Sequence, residues 1–204
     1  MKKILILGAT GFIGRNAAEY FAEKPDFEVY GTYLNSEPLD HIKIQMIKSD
    51  LTNKNDVDRV MHGMDIVLQA AAITSGVKAV ADNPHTFISD NAVMNSLILR
   101  SAFDQMVNHV ILLSCTVMYH SSEIPLKETD FDANKEIYPN YFGGAWNKVY
   151  FEKICEFYSK ISKHLNINTT NKDPRLNSPK YPIIQTNNAT RTYKYFIHSE
   201  HNSD

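Results

Sequence analysis

Apolar and polar positions along this 204-residue chain follow two alternating rhythms. Short, almost continuous apolar runs mark strands buried on both faces, and stretches with helical spacing lie between them. The pattern predicts strands at Lys3–Leu7, Phe27–Tyr33, Ile42–Ser49, Asp65–Ala72 and Val110–Ser114. It predicts helices over Phe12–Glu23, Asn55–Met61, Pro84–Gln105 and Phe142–Lys163. Strands alternating with helices argue for an α/β fold, a doubly wound parallel sheet with helices on both faces. From His164 onward Asn, Thr, Lys and Pro dominate and the apolar period is lost. Residues 1–163 therefore read as one domain and 164–204 as an irregular tail, with a short strand at Tyr193–His198 its single exception.

The junction of the first strand and first helix carries the first chemistry. Gly8-Ala9-Thr10-Gly11-Phe12-Ile13-Gly14-Arg15 places three glycines at three-residue spacing between an apolar run and a helical pattern. In that context Gly8 permits a sharp turn, Gly11 lets backbone approach a phosphate, and Gly14 lets helix and strand pack closely. The free N–H groups of the helix start then face a pyrophosphate. The implied fold is Rossmann-type and the implied ligand is a dinucleotide.

Composition narrows the picture without redirecting it. A hydrophobic fraction of 43% supplies an ordinary core, and a net charge of −2 gives no nucleic-acid-binding surface. Cys115 and Cys155 are too few for a disulfide framework and suit a reducing, cytoplasmic setting. No signal peptide, membrane span or metal centre is expected.

Further motifs follow in order: Asp50-Leu51, Gln69-Ala70-Ala71-Ala72, Asn91, Ser114-Cys115-Thr116-Val117-Met118-Tyr119, and Lys148 with Glu152. Together with the glycine loop they resemble the extended short-chain dehydrogenase/reductases, within them the NAD-dependent epimerase/dehydratase family, and nearest the GDP-fucose synthase-like branch. The likeness covers Met1 to about Lys163. It implies hydride transfer on a nucleotide sugar with NAD(P), and cofactor contacts from Gly8, Thr10, Gly11, Phe12, Ile13, Gly14, Arg15, Asp50, Leu51, Ala70, Ala71, Ala72, Asn91 and Lys148. It also implies a homodimer through the two long helices. Plainer roles stand beside these: a helix cap for Asp50, core packing for the alanines, a solvated helix residue for Arg15.

The catalytic pattern departs from the family. The resemblance implies a Tyr four residues before the lysine, and here that residue is Gly144. Tyr141 is the nearest substitute, about 10.5 Å of helical rise from Lys148 instead of about 6 Å. A bend or delayed helix start at Gly143-Gly144 would carry it inward. The family's hydroxyl falls on Cys115, a poor donor, which leaves Thr116 for that role if the strand has ended before it. The cysteine implied for epimerisation falls on Val117. The segment after the second strand, Gly31-Thr32-Tyr33-Leu34-Asn35, holds no acid for the ribose hydroxyls, and with Arg15 this tips cofactor choice toward NADP. Beyond Lys163 the expected sixth strand and substrate domain are not recognised, and frameshift, truncation and divergence all remain open for the tail. Two functions follow: a nucleotide-sugar epimerase, dehydratase or reductase, or an NAD(P)-binding module with impaired catalysis.

Overall fold

The computed structural model describes residues 1–73, 84–120, 122, 126–137 and 139–169. Six parallel strands run β1 (Lys2–Leu7), β2 (Phe27–Tyr33), β3 (Ile44–Lys48), β4 (Ile66–Gln69), β5 (His109–Leu112) and β6 (Asn166–Thr169). Their order across the sheet is β3-β2-β1-β4-β5-β6. The chain winds outward from β1 in both directions, so its switch point lies between β1 and β4, where such sheets bind ligands. Among the described residues four α-helices connect them: α1 (Phe12–Ala22), α2 (Lys54–Met61), α3 (Pro84–Asp104) and α4 (Phe142–Ile161).

The near-continuous apolar runs of the sequence become strands buried on both faces. Leu5, Leu7, Val67, Val110, Leu112 and Ile167 point to a core shared with Val57, Ile98, Leu99 and Cys155 from α2, α3 and α4. Ile4, Ile6, Val29 and Leu68 point the other way, onto Ala18 and Phe21 of α1. A third cluster gathers Met118, Ile137, Ala145 and Val149 around the start of α4, with Tyr119, Phe131 and Trp146 against it.

Three strands are shorter than their runs suggest: β3 spans Ile44–Lys48 instead of Ile42–Ser49, and the other two are cut for a shared reason. The run expected as Asp65–Ala72 leaves the ladder after Gln69, because the Gln69 side chain takes both backbone groups of Ala71. The run expected as Val110–Ser114 leaves it after Leu112, and the carbonyl of Leu113 is taken by Lys148. In each case a side chain replaces the neighbouring strand as partner.

The segment read as irregular from His164 contains the last strand. Asn166–Thr169 pairs in parallel with His109–Leu112, with Ile167 and Thr169 turned inward and Asn168 bonded to His109 at 2.9 Å. Polar turn-forming residues disguise the alternation, and four ladder pairs on an existing sheet override their propensity. The rest of the tail, including Tyr193–His198, lies outside the described residues. No helix among the described residues is long and apolar enough to cross a membrane.

Candidate functional site

One row of the sheet sets the site. Leu7, Gln69, Leu112 and Thr169 are register partners across β1, β4, β5 and β6. The residues that follow the first three, Gly8, Ala70 and Leu113, leave the sheet together at its carboxyl edge.

The turn after β1 is shaped by exclusion. Gly8 has φ +73°, and a Cβ there would lie 2.6 Å from Ala71 Cα. A Cβ on Gly14 would lie 2.2 Å from the Gly8 carbonyl oxygen. The Gly8 N–H donates to Thr32 Oγ1 at 2.9 Å, and Ala9 N–H to the Thr32 carbonyl at 2.9 Å. Thr32, which the motif reading omits, thus clamps the turn from β2. α1 begins at Phe12 with no capping side chain and no acid in its first turn. Its leading N–H groups and positive dipole end are left for an anion. Phe12 and Ile13 are exposed beside it, and Thr10 is half-buried. A diphosphate fits this cradle by space, hydrogen-bonding capacity and charge.

The opposite wall is equally ordered. Asn91 on α3 accepts from Ile73 N–H at 3.0 Å and donates to the Ile73 carbonyl at 2.9 Å. It therefore holds the loop after β4, through Ile73, rather than facing solvent. Ala70 and Ala71 are half-buried and Ala72 is exposed. Asp50 Oδ1 accepts from Thr52 N–H and Oγ1 at 2.9 and 2.7 Å, an Asx turn made through that one oxygen. Leu51 is packed in the core near Val57 and Val60. Arg15 pairs with Glu19 at 2.8 Å on the exposed face of α1.

Lys148 anchors the reactive end. Its Nζ donates to the Leu113 carbonyl at 2.6 Å, and burial holds its pKa below the usual lysine value. One turn along α4, Glu152 accepts from Ser114 Oγ, so Ser114 is directed to the helix. This Ser114–Glu152 bond is a second feature that spacing alone does not show. Cys115 is half-buried, and burial pushes its thiol upward against the pull of Lys148. A thiol held protonated is an inert one. Thr116 starts a 3-10 turn over Thr116–Met118 and is exposed, so β5 has ended before it, as a site role for this residue requires.

The start of α4 falls at Phe142, as its pattern predicts, without the delay that would carry Tyr141 inward. Gly143 and Gly144 lie inside its first turn and do not delay it, because the helix begins at Phe142. Tyr141 is the N-cap residue, at the end of a 3-10 turn over Pro139–Tyr141, and is 44% exposed. A Cβ on Gly144 would meet nothing within 4 Å. The structure thus brings the ends of β1, β4 and β5, with Gly8, Ala70 and the Lys148-bound Leu113, to one edge, with an open position at Gly144.

Comparison with known proteins agrees with this architecture. The model of the NAD dependent epimerase/dehydratase family matches residues 4–171, past the boundary near Lys163 and through β6. GDP-L-fucose synthase of Azorhizobium caulinodans is 31% identical over 168 residues, covering 78% of this chain and 48% of that protein. GDP-L-colitose synthase of Yersinia pseudotuberculosis is 25% identical, covering 82% of this chain and 51% of that protein. The chain spans about half the length of these curated relatives. Among solved structures, UDP-glucose 4-epimerase from Bifidobacterium longum superposes with a TM-score of 0.69 at 19% identity, covering 82% of this chain and 52% of that one. A sheet that switches at β1, a glycine turn closed against Ala71 and a lysine helix behind β5 thus sit inside a match that runs the length of the described fold: this chain belongs to the NAD-dependent epimerase/dehydratase family.

Proposed function

We propose that the protein binds NAD(P) across the carboxyl edge of its sheet and serves oxidation, reduction or epimerisation of a nucleotide sugar. The observation that carries this reading is the turn at Gly8–Gly14, closed to a Cβ at its first and last glycine and open to an anion at the uncapped start of α1. The first-turn amides of α1 would hold the diphosphate, Asp50 Oδ2 the adenine amino group, and Lys148 the nicotinamide ribose. The chemistry such a cofactor supplies when bound is hydride exchange with a substrate carbon. Thr116, exposed just beyond β5, orients a substrate oxygen by donating its hydroxyl proton. Tyr141 is the proton donor nearest in sequence to Lys148 at the start of α4, and the lowered pKa of Lys148 leaves its charge responsive to what binds beside it.

The lack of an acid over residues 31–35 favours NADP over NAD, with Arg15 released from Glu19 to meet a 2′-phosphate. Val93 on α3 and Tyr150, Phe157 and Ile161 on α4 are exposed apolar residues that suit a homodimer through the two long helices. Both cysteines are free, which suits the cytoplasm.

Binding without turnover is the competing function. Gly144 favours it, because an open position stands where the family pattern requires a proton donor. The test is titration with NADPH and NADH, followed by the nicotinamide absorbance change with GDP- and UDP-linked sugars. Binding with turnover that Lys148→Ala abolishes supports the enzyme. Binding without turnover, restored by Gly144→Tyr, supports an impaired one. No binding of either dinucleotide overturns both.

A further inference from the structure

The wall facing the glycine turn is held by a buried amide chain. Gln69 is 3% exposed, and its Nε2 donates to Asn95 Oδ1 at 2.7 Å and to the Ala71 carbonyl at 3.1 Å. Its Oε1 accepts from Ala71 N–H at 3.1 Å. Asn95, also 3% exposed, lies one helical turn along α3 from Asn91, which grips Ile73 in the same two-sided way. The two α3 amides therefore fix the main chain on both sides of Ala72, one directly and one through Gln69.

Ala71 is the residue that Gly8 touches. The spacing is so close that a Cβ on Gly8 would overlap Ala71 Cα and lie 2.8 Å from Ala71 N. A shift of Ala71 by a few tenths of an ångström therefore reaches Gly8, and through the Gly8 carbonyl it reaches Gly14, which packs on that oxygen. Thr32 holds the other flank of the turn through side chain and backbone. The anion cradle is clamped between these two supports.

We propose that Gln69 and Asn95 are positioning residues for the phosphate turn: they set Ala71, and Ala71 sets Gly8. The inference rests on the dinucleotide reading above and adds to it a specific path from α3 to the cradle. Nothing in it requires Gln69 or Asn95 to touch the ligand. A buried amide chain is suited to this task because each lost partner leaves a polar group unsatisfied, which makes the arrangement sharply defined. An apolar pair of similar size would fill the space without specifying where Ala71 lies.

The experiment measures NADPH affinity of the full chain by fluorescence titration, well below the melting temperature of each variant. Gln69→Leu and Asn95→Leu are expected to weaken binding about tenfold, since each leaves a buried polar partner unpaired. Asn95→Asp keeps the oxygen that accepts from Gln69 and is expected to bind within about threefold of the parent. Val57→Ala, a cavity in the core on α2 outside the amide chain, lowers the melting temperature by a comparable amount and is expected to leave affinity unchanged. If affinity follows melting temperature across all four variants, the role is merely structural and the proposal is overturned. If the Leu variants do not fold, amide exchange of the parent chain decides. Added NADPH is expected to slow the buried Gln69 side-chain amide together with Gly8, and an unchanged Gln69 overturns the proposal. Failure of the parent itself to bind overturns the dinucleotide reading instead.

Discussion

Two glycine segments frame the candidate site, and they are glycine for opposite reasons. At Gly8 and Gly14 the fold leaves no room for a Cβ, because main chain lies 2.6 and 2.2 Å from where it would stand. At Gly144 there is nothing within 4 Å, and at Gly143 the obstacle is the tip of one side chain, Ile88 Cδ1 at 2.1 Å. The candidate anion cradle is thus bounded by backbone at its first and last glycine. The start of the lysine helix is constrained by one flexible neighbour. Binding geometry and catalytic geometry have separate supports in this chain, and one can change while the other persists.

The contrast breaks most directly at Gly14→Ala. Its Cβ presses on the Gly8 carbonyl, which cannot move without parting the turn, so a loss of about 3 kcal/mol or more is expected by urea unfolding, together with NADPH binding. Near-parental affinity would remove the claim that space fixes this glycine. Gly143→Ala is expected to cost about 1–3 kcal/mol through the clash with Ile88, and Ile88→Val in the same chain to recover most of it by removing Cδ1. Additive losses in that double variant would show that the obstacle lies elsewhere. Gly144→Ala is expected to raise stability by up to about 1 kcal/mol, since an exposed helical glycine gains from a Cβ that meets nothing. A destabilised variant would show an unseen constraint at the open position.

The smallest effect is a pH dependence. Burial pushes the Cys155 thiol up to about 12, and raises that of Cys115, from the ordinary thiol value of 9.0. Above pH 9 the unfolded chain releases these protons and the folded chain retains them. Stability is therefore expected to fall as pH rises from 9 toward 12. Lys148 acts in the opposite sense: its lowered pKa means the unfolded state holds more protons, so the cost of burying its charge is relieved as pH rises through the folded pKa. Melting curves of Cys155→Ala across this window should show a flatter alkaline decline than the parent. An identical slope would show that other groups govern it.

The sequence rhythm located β2 at its observed bounds and the helices within a few residues, because a long period averages over local exceptions. It overran β4 and β5, where Gln69 and Lys148 supply partners from the side. It missed β6, whose Asn and Thr residues advertise turns and whose strand state comes from β5. Around the candidate site, the turn at Gly8 and Gly14 is legible because its spacing follows from the space a strand-to-helix turn requires, while Lys148 is singled out only through the family resemblance. Thr32, Ser114–Glu152 and the Gln69–Asn95 pair are not legible, because their partners lie 24, 38 and 26 positions away. Asn91 is legible as a position, while its partner, the backbone of Ile73, is visible only in three dimensions.

The double clamp on Gly8 has a consequence for the order in which the chain is made. Thr32 is synthesised 24 residues after Gly8, and Ala71 follows after β4. A nascent chain ending between Lys48 and Gln69 can hold the turn from the β2 side alone, with β1, β2 and β3 able to pair and the opposite wall still to come. Only when β4 docks beside β1 does the turn gain its second support. The anion cradle is therefore begun early in synthesis, and its tolerance for error is set later, by the strand that closes it.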